Sequence, residues 1–229
     1  MKYLSQITKD RKSRVPRIWS NKVLKKHAKL FSGSIVNVSG WKDLDKQGKR
    51  YRDYFKNANK YSISNYETDA RGFQGDLENE FFLDLEKELP KKLKAKFDVV
   101  FNHTTLEHIF HINKAFSNLC EMSKDIVILV VPFMQEQHAE YGDYWRFTPM
   151  TIKRLFESNN MRTIYMDYND QSSSSIYLYA IGSKNPKKWI SIIRDKNNKI
   201  SKNCFIGKKI IRNSPIYYFS NIIQNFLKK

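Results

Sequence analysis

The 229-residue sequence is poor in the residues that staple or punctuate a chain: two Cys, six Pro and eight Gly. Cys120 and Cys204 form neither a disulfide framework nor a zinc-type Cys/His spacing, which points to a reducing, cytosolic setting. The scarcity of Pro and Gly, with 41% apolar and 14% aromatic residues, excludes collagen-like, low-complexity and disordered classes. Long apolar runs are also missing. The longest purely aliphatic run, Ile126 to Val131, is far shorter than the roughly 18 to 20 residues that span a bilayer. The N-terminal Met1-Lys2-Tyr3-Leu4 has no apolar core or small-residue cleavage site, so no secretory leader is expected. No Gly-rich loop precedes a Lys-Ser/Thr pair, no Gly-x-Ser-x-Gly elbow occurs, and no full Gly-x-Gly-x-x-Gly is present. These absences argue against P-loop hydrolases, elbow-type hydrolases and dinucleotide oxidoreductases. The five His are not spaced as metal ligands, so no metal is expected.

Acid is scarce relative to base, with 23 Asp plus Glu against 41 Lys plus Arg and a net charge of +18. The excess is confined to the ends. Residues 1–32 carry ten basic residues against Asp10, a net +9, and residues 184–229 carry twelve against Asp195, a net +11. The middle is left at −2. A near-neutral core with two basic ends is a poor match for a nucleic-acid groove running through the fold. The C-terminal segment mixes its Lys and Arg with Trp189, Ile192, Phe205, Ile210, Tyr217 and Phe226. That composition suits contact with the inner face of a membrane or an anionic glycan, or packing onto the domain. The chain therefore divides into a basic N-terminal segment with a lead-in helix (1–32), a central domain (33–183) and a basic, apolar-rich extension (184–229).

Hydrophobic periodicity places strands at 34–38, 60–64, 97–102 and 126–131, the last closed by Pro132, with a brief further candidate at 72–75. Between the two surest strands, residues 105–122 carry apolar side chains at threes and fours, the stripe of one amphipathic helix and hence a parallel crossover. Residues 151–157 read as another helix. Strands at 162–168 and 175–182, joined by a polar turn, imply an antiparallel pair at the edge of a mostly parallel sheet. A helix at 10–31 offers Trp19, Val23, Leu24, Ala28, Leu30 and Phe31 for packing. The fold class is α/β.

Two blocks carry a resemblance. One is Phe97-Asp98-Val99-Val100-Phe101-Asn102-His103-Thr104-Thr105-Leu106-Glu107-His108; the other is Val130-Val131-Pro132-Phe133 followed by His138 and Asp143-Tyr144-Trp145-Arg146-Phe147-Thr148-Pro149. Over residues 15–184 the sequence resembles the class I S-adenosylmethionine-dependent methyltransferases, and the second block is similar to members met in bacterial glycan-modification pathways. The resemblance implies a Rossmann-like, doubly wound, seven-stranded sheet, S-adenosylmethionine as cofactor, and a small, sugar-containing acceptor methylated on oxygen.

It also implies site residues. The loop after the first strand, Asn37-Val38-Ser39-Gly40-Trp41, stands where the family has an acid and Gly-x-Gly: Asn replaces the acid, Ser the first Gly and Trp41 the last. Asn65 stands where the family's acid holds the ribose hydroxyls, offering one acceptor and two donors. Asp76-Leu77 is similar to the adenine-contacting segment after the third strand, and Asn102 and His103 close the cofactor side. His138 is the choice of base, with substrate hydrogen bonding and a plain loop position as alternatives. His108 reads as a capping or packing residue. Asp143, Tyr144 and Arg146 line the substrate side, Arg146 either gripping an anionic group or pairing with Asp143. A domain of this kind that has lost catalysis and serves as a binding module is the alternative function.

Overall fold

The computed structural model describes residues 14–67, 72–138, 142–169, 171 and 174–193. Helix α1 (Arg14–Ala28) leads into β1 (Ser32–Val38), β2 (Asn57–Asn65), β3 (Glu80–Phe82) and β4 (Phe97–His103). Helix α2 (Ile112–Met122), β5 (Ser123–Met134), α3 (Pro149–Ser158), β6 (Arg162–Tyr168), β7 (Ile176–Ser183) and a short α4 (Pro186–Ile190) follow. The seven strands form one sheet in the order β3-β2-β1-β4-β5-β7-β6. Every pairing from β3 to β5 is parallel, and β7 runs antiparallel to both β5 and β6.

The two-residue period of the strands sorts their side chains into two cores. Val36, Val100, Val127, Leu129 and Val131 face α2 and α3, meeting Phe116, Leu119, Ile152 and Phe156. Their neighbours Ile35, Val99, Phe101, Ile128 and Val130 face the other way, toward Leu24, Ala28 and Phe31 of the α1 region. The lead-in helix is thus a structural layer over the sheet. Of the C-terminal segment, α4 packs on the same side: Trp189 is buried, its indole N–H donating to Asp125 Oδ2 at 2.8 Å. Residues 10–13 of the expected lead-in helix, Cys204 and the basic, apolar stretch 194–229 lie outside the described residues.

Three expectations need correction. The third strand lies at Glu80–Phe82, pairing with Ile63–Asn65, and not at 72–75, where Gly75 takes φ +74° in a turn. Pro132 does not close β5, which continues to Met134. β4 pairs with β5 only as far as Val130, so at Pro132 a single neighbour, β7, remains and the missing N–H costs no ladder bond on the β4 side. The helix expected over 105–122 is broken. Residues Leu106–His108 form a separate 3₁₀ turn, because the Glu107 carbonyl accepts from the Tyr144 and Trp145 N–H groups at 2.8 and 3.2 Å instead of from the next helical turn.

Candidate functional site

β1 has β2 on one side and β4 on the other, so the chain reverses its winding direction at the carboxyl end of β1. Open α/β sheets bind ligands at such a switch point. A cleft of about 610 Å³ opens there, within the usual size range for a small-molecule site.

One wall is the loop after β1. Ser39, Trp41 and Asp43 take φ of 55°, 48° and 62°, a left-handed conformation that side chains resist, so the loop must be held by its contacts. Asn65 at the end of β2 supplies one clamp: its Oδ1 accepts from Trp41 N–H at 2.7 Å and its Nδ2 donates to Trp41 O at 3.2 Å. The same Nδ2 donates to Glu80 Oε1 at 2.5 Å. Asp43 supplies the other. It is 2% exposed and accepts from Asn37 Nδ2 at 2.7 Å, Tyr61 OH at 2.7 Å and Arg52 N–H at 2.9 Å. Burial pushes its carboxyl up, against these donors. An acid, Asp43, thus stands six residues after Asn37 in the chain and is bonded to it. Gly40 passes so close to Asn37 that a Cβ would lie 2.6 Å from Nδ2.

The far wall comes from β4. His103 is buried, its Nε2 3.0 Å from Ser20 Oγ and its Nδ1 3.0 Å from Thr104 Oγ1. Burial, reinforced by Arg17, drives its pKa well below the usual histidine range, so the ring is neutral. Arg17 reaches in from α1, donating to Tyr51 OH at 3.2 Å and Thr104 Oγ1 at 3.0 Å, while its buried Nε has no partner. Leu83, Asp84, Leu85 and Glu86, immediately after β3, line the third side. His108, Ile109, Phe110 and Tyr144 form the outer end, with Phe110 and Tyr144 exposed and edge-on at 5.3 Å.

The cleft thus gathers Asn37, Ser39, Gly40, Trp41, Asn65, His103 and Tyr144 from among the expected residues. Others fall elsewhere. Asp76 is exposed, and Leu77 packs against the sheet, because both precede β3 instead of following it. The acid-Leu pair that does follow β3 is Asp84-Leu85; the run Phe81-Phe82-Leu83 ahead of it was its sequence signal. Asn102 is wholly buried beneath the cleft floor, donating to Val38 O at 3.0 Å. Asp143 and Arg146 form a two-point ion pair at 2.5 and 2.6 Å, and Arg146 also donates to the Gln135, Glu136 and Trp145 carbonyls. Neither residue lines the cleft; together they brace the loop after β5. His138 lies behind His108, the rings edge-on at 4.8 Å, and the cleft histidine at the outer end is His108.

No protein-family model matches the chain, and no curated protein matches it in sequence. Solved structures do match in shape. A putative methyltransferase from Bacillus halodurans C-125 superposes with a TM-score of 0.54 at 11% identity, covering 72% of this chain and 98% of that one. The fold is one that methyltransferases use. Burkholderia thailandensis 1,6-didemethyltoxoflavin-N1-methyltransferase, solved with its substrate and S-adenosylhomocysteine, gives 0.53 at 12% identity over 75% and 79% of the two chains. A putative methyltransferase complexed with the Haloferax volcanii Trm112 activator gives 0.52 at 12%, over 73% and 96%.

Proposed function

We propose that the chain is an S-adenosylmethionine-dependent methyltransferase acting on oxygen of a small, sugar-containing acceptor, with a place in glycan biosynthesis. The observation that carries this reading is the switch-point cleft, lined by the ends of β1, β2 and β4 and by the segment after β3. The residues present suit the cofactor's parts. Leu83 and Leu85 offer an apolar face for a purine, and Asp84 an acceptor for its amino group. Arg17, whose buried Nε has no partner and which pairs with no carboxylate among the described residues, suits the amino-acid carboxylate. When bound, S-adenosylmethionine supplies an electrophilic methyl group on a sulfonium. The protein's share is to hold an acceptor oxygen in line with it and to exclude water. Phe110 and Tyr144 provide aromatic faces at the outer end for a sugar ring.

One observation favours the alternative of a catalytically lapsed binding module. The Asn65 amide, at the ribose-binding position, is already engaged by Trp41 and Glu80. Titration calorimetry with S-adenosylhomocysteine separates the two readings. Micromolar binding that is weakened at least roughly tenfold by Asp84→Ala and untouched by Asp76→Ala supports the enzyme; no binding at millimolar ligand supports the module.

A further inference from the structure

Behind the outer end of the cleft, Glu107, His108 and His138 bring three metal-type ligand atoms within 4.8 Å of one another. Sequence spacing hid the group, because Glu107 and His108 sit on the 3₁₀ turn after β4 while His138 sits on the loop after β5. Glu107 is 1% exposed, and its Oε2 has no hydrogen-bond partner among the described residues. A buried carboxylate oxygen without a donor is costly, and such groups persist where something else satisfies them. His138 Nδ1 is likewise buried without a hydrogen-bond partner, lying 3.3 Å from Asp143 Oδ2 outside bonding geometry. A buried carboxylate oxygen without a donor, beside two imidazoles, is the complement of a cation.

The surrounding contacts orient the group as metal ligands are oriented. His108 Nδ1 lies 2.6 Å from the Gly142 carbonyl, which fixes the proton on that nitrogen and leaves Nε2 with a lone pair, 3.9 Å from Glu107 Oε1. Asp143, whose Oδ2 accepts from the His138 backbone N–H at 2.8 Å, is itself held by Arg146. In a tetrahedral site with bonds of about 2.0 to 2.2 Å, ligand atoms stand roughly 3.3 Å apart. The three atoms stand within 4.8 Å of one another, wider than that spacing. Two imidazoles and one carboxylate favour zinc-class ions over Mg²⁺ or Ca²⁺, and three protein ligands leave one position open for water or substrate.

We propose that Glu107, His108 and His138 bind a single divalent transition-metal cation of the Zn²⁺ class at the acceptor end of the cleft. A role in lowering the pKa of an acceptor hydroxyl rests on the methyltransferase reading above; the binding site itself does not. The test uses the full chain, free of any affinity tag, stripped with EDTA and dialysed. It is titrated with Zn²⁺ against a chromophoric chelator, and with Co²⁺ followed by visible absorption. One equivalent should bind, with the intense bands of four-coordinate Co²⁺. Glu107→Gln and His138→Ala should each weaken binding roughly tenfold or more, while His111→Ala, at an exposed histidine outside the group, should not. Absence of the Co²⁺ bands in the wild-type chain, or equal affinity in all three variants, overturns the site. The wild-type spectrum decides even where a variant fails to fold. S-adenosylhomocysteine is titrated into the same preparation. Metal binding without it upholds this site and overturns the proposed function, and the reverse result does the opposite.

Discussion

Placing an acid at Asn37, near the end of β1, should damage this protein. Asn37→Asp places a carboxylate where the Asn37 amide now donates to Asp43 Oδ1 at 2.7 Å, inside a network in which Asp43 is 2% exposed. Two carboxylates at that distance cannot both ionise, so one must take up a proton. Protonating a carboxyl of ordinary pKa at pH 7 costs about 4 kcal/mol, an upper bound here because burial already pushes Asp43 up, and a new carboxyl–carboxylate hydrogen bond returns about 1. The net loss of up to about 3 kcal/mol corresponds to a Tm lower by as much as roughly 6 to 12 °C in a domain of this size. The penalty should shrink as pH falls, by about 1.4 kcal/mol per unit while the proton is taken up from solvent. Adding Asp43→Asn reverses the donor and acceptor roles, and the double variant should recover at least half of the loss. Urea unfolding of wild type, both single variants and the double variant, at pH 6, 7 and 8, closes the cycle. An Asn37→Asp protein as stable as wild type, or a double variant no better than the sum of its parts, would refute the coupling.

Other perturbations test the frame around the site. A Cβ at Gly182 on β7 would collide with the Phe156 ring of α3, so Gly182→Ala should cost roughly 1 to 3 kcal/mol, relieved by Phe156→Leu, in thermal unfolding. Burial works against the charge on Asp125, but donors from Ser183, Trp189 and Asn185 outweigh it and hold the pKa below 3.8. Its stabilisation is therefore full above that value and lost as pH falls through the lower folded value; the acid limb of a stability–pH curve should flatten in Asp125→Asn. Burial pushes the Cys120 thiol up to about 12. In a Cys204→Ser background, iodoacetamide should leave native protein unmodified at pH 8 and react after unfolding in urea.

What was legible in the sequence tracks what local pattern can encode. β4 and β5 announce themselves because residues 97–102 and 126–131 are apolar on both faces, as strands buried between two helical layers must be. The reversal at β7 followed from the short polar connection after β6. β3 was misplaced because three residues, Glu80–Phe82, are too few to show a period, and this displaced the adenine-side assignment from Asp84 to Asp76. The helix break at Glu107 was invisible because it depends on N–H groups of Tyr144 and Trp145, more than thirty residues away. Asp43 and Arg17 escaped for the same reason: one sits in a loop without a motif and the other on a helix whose periodicity speaks only of packing. The Asp143–Arg146 pair was among the readings left open, and the buried two-point geometry selects it.

Hydrogen exchange of the full chain with and without saturating S-adenosylhomocysteine tests the cofactor cleft most directly. Amides in 37–46, 64–67, 83–86 and 102–105 should slow on binding, while those in 74–78 and along α3 stay unchanged. Uniform exchange in both states, or protection centred on 74–78, would contradict a cofactor site at the switch point.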